Sequence, residues 1–247
     1  MARVELALVD PGAEQLWESA LSLADELNAR LGDDWSLIGG LMVQLHVNRY
    51  GDGSARPTDD VDVLGDSRKR PSATERIAEM LNSLRFELDK PTGIEMGTAY
   101  RFTRGDEVVD VLGVDGTRKP PKTLGQFETI KVKGGTQALR RTETVIVVLN
   151  AKETPVRCPT LLGAILLKAR AITSPQRDQD REDLVRLLLC VEDPTGLAGE
   201  LTKKERRSLR RASKHLAFDD ESGDLRAIFT ADQIATARVT YNLLVRD

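Results

Sequence analysis

Two valine-rich runs hold the residues whose chemistry stands out: Asp59-Asp60-Val61-Asp62-Val63 and Val108-Val109-Asp110-Val111-Leu112. Such runs favour strands, and along a strand successive side chains face opposite ways. Asp60 and Asp62 therefore share one face, with Asp59, Val61 and Val63 on the other. Their Cα atoms stand roughly 6 to 7 Å apart in that geometry. Two carboxylates that close raise one another's pKa unless a cation lies between them. Asp110 is flanked by apolar neighbours, where an unpartnered charge is costly. If its strand lies beside the first, three acids converge. A divalent cation, Mg²⁺ or Mn²⁺, is then the natural counter-charge, because hard cations take carboxylate and phosphate oxygens. The competing arrangement leaves Asp60 and Asp62 exposed on an edge strand and Asp110 at a strand end.

A second group of residues suits an anion. Trp35-Ser36-Leu37-Ile38 reads as a strand, cut by Gly39-Gly40, and LMVQLHVNRY reads as a helix. Glycines at a helix start let backbone amides approach a phosphate closely, although any tight turn also uses them. In residues 161–172 the stripe Leu161, Ala164, Ile165, Lys168, Ile172 places a lysine on an apolar face. Lys168 either snorkels to solvent or meets an anion there. Asp180 lies on the stripe Leu184, Leu187, Leu188, Val191 of the next helix, with Asp183 at its edge. Asp178 reads as a helix-capping acid. With His46 and His215 the only histidines, no Ser/His/Asp triad is indicated.

The elements that must position these groups divide the chain. An amphipathic helix is expected over 13–31, a helix over 72–86, and a hairpin turning at Arg104-Gly105-Asp106. Residues 126–150 read as several β-rich runs separated by Gly134-Gly135. After Pro155 the pattern becomes helical, at 160–173, 178–191, 202–216 and 230–244. The expected class is α+β: a catalytic domain over 1–155, with a mixed sheet flanked by helices, and a helical C-terminal domain over 156–247.

Composition narrows the classes further. The chain has 247 residues, 40% hydrophobic and 30% charged, enough for a sizeable core. Its net charge of −3 argues neither for nor against a polyanionic partner. Residues 202–216 nevertheless hold seven Lys or Arg against one Glu, and Lys203, Arg207, Arg210 and Lys214 form one ridge on a helix. That ridge is either a solvated face or a phosphate-backbone footprint. Cys158 and Cys190 lack metal-ligand spacing and read as core residues or a surface thiol. No window approaches eighteen consecutive apolar residues and the N-terminus has no apolar leader core, so a cytoplasmic protein without membrane association is expected.

The glycine pair, nineteen residues and then Asp60-Val61-Asp62, preceded by Arg56-Pro57-Thr58-Asp59, resembles the GG...R-x-T-x-D-x-D signature of the DNA polymerase β-like nucleotidyltransferases. The branch it resembles contains the AbiEii abortive-infection and MenT-type toxins. His46 falls where many of these proteins have a histidine, and the likeness extends to GGTQAL at 134–139, Lys168 and the D-x-x-D-L element of Asp180 and Asp183. The Gly40-to-Asp60 gap is long and holds an insertion-like GDGSA. The resemblance implies an NTP substrate and metal on Asp60, Asp62 and Asp110. It also implies nucleotide contacts from Gly39, Gly40, Arg56, Thr58 and Lys168, with Asp180 and Asp183 orienting Lys168 or Arg177. Arg56 and His46 read as substrate-orienting rather than chemical. The implied acceptor is RNA, such as a tRNA 3′ end, with a cognate antitoxin as partner. Competing readings are a small hydroxylated acceptor of the aminoglycoside kind and a catalytically silent nucleotide- or RNA-binding module.

Overall fold

The computed structural model describes residues 1–8, 10–51, 55–90, 97–125, 127–174, 178–216, 218 and 224–246. Arg177 and part of the GDGSA segment lie outside the described residues. A short strand, β1 (Ala2–Glu5), precedes helix α1 (Pro11–Leu31). The start of α1 has a local cause: Asp10 accepts a hydrogen bond from the Ala13 N–H at 2.8 Å, and Pro11 sits in the first turn, where its missing donor costs nothing. Its buried stripe includes Trp17, Ala20, Leu27 and Leu31.

Then come β2 (Trp35–Ile38), α2 (Gly39–Tyr50), β3 (Val61–Gly65), α3 (Ala73–Ser83), β4 (Glu87–Leu88), β5 (Arg101–Arg104), β6 (Glu107–Val114) and β7 (Lys131–Val132). These strands form a mixed sheet in the order β2-β3-β6-β5-β4, with β7 added beside β6. β3 and β6 run parallel, while β2 is antiparallel to β3 and β5 antiparallel to β6. The β5–β6 hairpin turns at Gly105, φ +61°, where the sequence places it. Val61, Val63, Val109 and Val111 are 2%, 0%, 1% and 0% exposed, and α1 covers the first two while α3 packs on β3 and β6. Burying each valine contributes roughly 1.5 to 3 kcal/mol, so this face of the sheet is fixed to the core. The aspartates that alternate with them must face the other way.

Helix α4 (Gly135–Arg140) and strands β8 (Thr142–Leu149) and β9 (Lys152–Pro159) follow, and β1, β8 and β9 make a second sheet in that order. Here the β-rich expectation for 126–150 is corrected at residues 135–140. Asp115 accepts from the Gly134 and Thr136 N–H groups at 2.9 and 3.0 Å, which starts a helix at Gly135. Pro155 is no breaker either, because β9 is an edge strand whose outward positions need no donor. The remaining elements are helical: α5 (Leu161–Ala171), α6 (Asp178–Leu189), α7 (Pro194–Gly199), α8 (Lys203–Leu216), α9 (Asp224–Ile228) and α10 (Ala231–Val245). Four of them coincide with the expected helices. Arg141, just after α4, grips Glu205 of α8 through two bonds of 2.8 and 3.0 Å. Among the described residues no helix is long and apolar enough to cross a membrane. Cys158 and Cys190 are both buried, and neither forms a disulfide.

Candidate active site

The parallel register sets Asp62 of β3 opposite Asp110 of β6. With the valines turned to the core, both carboxylates emerge on the open face, and Asp60, two residues before Asp62, joins them. Asp60, Asp62 and Asp110 each offer an oxygen within 4.8 Å of the others. Such a set of hard oxygen donors can hold Mg²⁺ or Mn²⁺. Burial, then repulsion from Asp60 and Asp110, pushes the Asp62 carboxyl up to about 7, against the opposing pull of Lys168. Concentrated negative charge of this kind calls for a cation.

In the structure that role belongs to Arg101. The antiparallel register of β5 and β6 pairs Arg101 with Asp110. Its Nε and Nη2 donate to the two Asp110 oxygens at 2.8 and 2.9 Å, and Nη2 also reaches Asp60 Oδ2 at 3.3 Å. The guanidinium thus marks the place where the trio holds positive charge. Sequence reasoning passed over Arg101, yet the signal was present. Counting outward from the turn at Gly105 pairs Arg104 with Glu107 and Arg101 with Asp110.

The glycine pair does its work by omission. Gly39, φ +69°, has no room for a Cβ, which would stand 1.8 Å from Asp62 Oδ2. At Gly40 a Cβ would lie 2.7 Å from Thr58 Oγ1. Thr58 in turn donates to Asp60 Oδ1 at 3.0 Å. The pair therefore lets α2 begin directly against the segment that carries the carboxylates, and Thr58 fixes one of them.

Lys168 of α5 is buried, and it meets an anion within the chain. Its Nζ lies 2.8 Å from Asp180 Oδ1 and 2.7 Å from Asp183 Oδ2, both on α6. Burial disfavours the ammonium, but Asp183 and Asp180 outweigh it and raise its pKa. Arg56 Nε stands 3.6 Å from Asp183 Oδ1, so Arg56 braces the back of this network, and the Gln44 amide holds the Arg56 carbonyl at 3.1 Å. His46 is elsewhere, in the core. Its Nε2 is 2.9 Å from the Pro159 carbonyl oxygen, and burial lowers its pKa to about 4, so the ring is neutral and donates that bond.

Gly39, Asp62, Asp110, Lys168 and Asp180 line one cleft of about 360 Å³ between the sheet and α5, with Lys131 and Lys133 at its side. Cavities of about 690 and 790 Å³ lie elsewhere, and neither includes the aspartate trio. Chemistry, not size, singles out the smaller one.

No protein-family model and no curated protein matches the sequence. Solved structures do match. The crystal structure of an antigenic nucleotidyltransferase-like protein from Paracoccidioides brasiliensis aligns with TM-score 0.50 and 16% identity over 90% of this chain and 97% of its own. The solution structure of the antibiotic-resistance factor ANT(2'')-Ia aligns at TM-score 0.38 and 17% identity, over 95% of this chain and 93% of its own. The crystal structure of ANT(2'')-Ia with adenylyl-2''-tobramycin gives 0.37 and 16%, over 93% and 97%. With its mixed sheet flanked by helices, the chain has the fold of a nucleotidyltransferase-like protein.

Proposed function

We propose that the protein is a metal-dependent nucleotidyltransferase that moves a nucleoside monophosphate from an NTP to an acceptor hydroxyl and releases pyrophosphate. The observation that carries this reading is the trio Asp60, Asp62 and Asp110, with oxygens within 4.8 Å of one another and with Asp62 and Asp110 lining a cleft of this fold. A divalent cation held by these three residues supplies charge that stabilises the phosphoryl oxygens during transfer. In the reaction the acceptor oxygen bonds to the α-phosphorus, the bond from that phosphorus to the pyrophosphate oxygen breaks, and pyrophosphate leaves with the electron pair. The acceptor proton passes to Asp110 once Arg101 has released it. Thr58 orients Asp60, and Gly39 and Gly40 admit Asp62 and Thr58 to their places. Lys168 keeps a cation near Asp62 that favours its ionised form, while Asp180, Asp183 and Arg56 hold Lys168 in position. Residues 1–155 carry Asp60, Asp62 and Asp110, and the helical part that follows β9 closes the cleft.

For the acceptor we favour RNA, with a tRNA 3′ end and a toxin role countered by a cognate antitoxin as the form that the AbiEii/MenT resemblance implies. Lys203, Arg207 and Lys214 are exposed along α8, which supports a phosphate-backbone contact, although Arg210 Nε is turned to the Val245 carbonyl at 2.8 Å. A small hydroxylated acceptor is the second reading, since the cleft volume falls in the range of about 300 to 1,000 Å³ common for small-molecule sites. The test is incubation with each labelled NTP and Mg²⁺, with total cellular RNA in one arm and aminoglycosides in the other. Asp62→Asn serves as the control. Label in one RNA size class, lost in the variant, supports the RNA acceptor; label only in the small molecules supports the second reading. Transfer undiminished in Asp62→Asn would refute the chemistry.

A further inference from the structure

A triphosphate brings several negative charges, and the cations closest to the acidic trio are already engaged. Lys168 lies between Asp180 and Asp183, and Arg101 between Asp110 and Asp60. The amides at the start of α4 are bound by Asp115, so the second glycine pair is closed to phosphate as well. Two other lysines line the same cleft. β7 extends the sheet parallel to β6, with Lys131 opposite Gly113 and Val132 opposite Val114. Lys131 on this strand and Lys133 in the turn that follows both line the cleft, while Val132 packs against the core. Both lysines are exposed. Lys131 has no ion pair or side-chain hydrogen bond among the described residues. Lys133 reaches Ser174, just beyond α5, with Nζ to Oγ at 3.2 Å. That bond to a neutral hydroxyl is readily exchanged for a stronger one to a phosphate oxygen.

From this distribution of charge we propose that Lys131 and Lys133 form the subsite for the β- and γ-phosphates of the nucleotide, the portion that departs as pyrophosphate. The inference rests on the nucleotidyltransferase reading above. Lys131 and Lys133 stand two residues apart in sequence and line the same cleft, a placement that lets flexible stems converge on adjacent phosphates. Lys168 then serves the architecture around Asp62, and the tail of the nucleotide lies toward β7 and the end of α5.

Isothermal titration tests the assignment, with the four NTPs in Ca²⁺, inorganic pyrophosphate and the four NMPs as separate ligands. The proteins are wild type, Lys131→Gln, Lys133→Gln, the double variant and the charge-reversed Lys131→Glu. Because both side chains are exposed, melting temperatures should stay at the wild-type value. The double variant should lose affinity for NTP and pyrophosphate by on the order of 10- to 100-fold, with NMP affinity held within about twofold. Unchanged NTP affinity in the double variant overturns the subsite and leaves the nucleotidyltransferase reading intact. Equal losses for NMP and NTP overturn it too, since the lysines would then act on the whole molecule. A wild-type protein that binds neither NTP nor pyrophosphate overturns the nucleotidyltransferase reading itself.

Discussion

Arg101→Met should make the protein bind divalent cations more tightly while making the metal-free form less stable. Two unit charges at the 4.8 Å limit of the aspartate trio repel by about 3.5 kcal/mol at an effective dielectric near 20. In the metal-free protein Arg101 offsets part of that repulsion with two bonds to Asp110 and one to Asp60. Its side chain is 43% exposed, so solvent screening reduces the net contribution to roughly 1 to 2 kcal/mol. An incoming cation must displace this guanidinium, and so forfeits the same amount. Methionine keeps the aliphatic stem and deletes the charge. Affinity for Mn²⁺ should therefore rise about 5- to 30-fold by isothermal titration. In chelator the variant should melt about 2 to 8 °C below wild type, and excess Mn²⁺ should reverse the order. A Mn²⁺ affinity that falls in Arg101→Met would show that the guanidinium helps to build the site instead of competing for it, and the reasoning would fail.

Gly39→Ala should weaken Mn²⁺ binding at least tenfold, because the new methyl overlaps Asp62 Oδ2 and must turn that carboxylate away; wild-type affinity would show that the clash relaxes elsewhere. Lys168→Met deprives Asp180 and Asp183 of their shared cation in a buried setting, so thermal melts should show a loss of about 3 kcal/mol, or roughly 10 °C. A shift under 2 °C would mean that the two acids do not depend on Lys168. Burial alone would raise the Glu205 carboxyl, but Arg141 and then Thr202 hold it at about 2, below its ordinary 4.5. A depressed carboxylate contributes stability that is complete above about 4.5 and lost as pH falls toward 2. Glu205→Gln should therefore flatten the fall in melting temperature across that window, and an unaltered acid limb would assign the loss to other carboxylates.

The aspartate trio was legible because strand alternation is a local rule: valines claimed one face, and Asp60, Asp62 and Asp110 were left with the other. The β3–β6 pairing that joins them, by contrast, is no local rule, since partners across the two strands lie 48 residues apart in sequence. Helices α1, α5, α6, α8 and α10 were legible from apolar periodicity. β1 was not, because four residues carry too little pattern, and GTQALR was misassigned because its helix depends on a cap from Asp115, nineteen residues earlier. The apolar stripe leaves Lys168 either snorkelling to solvent or meeting an anion, and that it meets Asp180 and Asp183 depends on how α5 packs on α6. No local pattern encodes that packing, nor the approach of Arg56 to Asp183 across 127 residues of chain.

The contact between Arg56 and Asp183 also has a mechanical side. Arg56 leads within two residues to Thr58, which grips Asp60, while Asp183 rides on α6 with the lysine of α5 locked to it. The floor of the cleft is thus riveted: rotating α5 and α6 away from the sheet would pull on the Arg56–Thr58 segment and drag Asp60 out of register with Asp62. At the mouth, the Lys133 bond to Ser174 spans β7 and the end of α5 with far less resistance. Movement of the helical part is therefore expected to pivot about the floor and gape at the mouth, so that the carboxylates keep their spacing while the entrance widens.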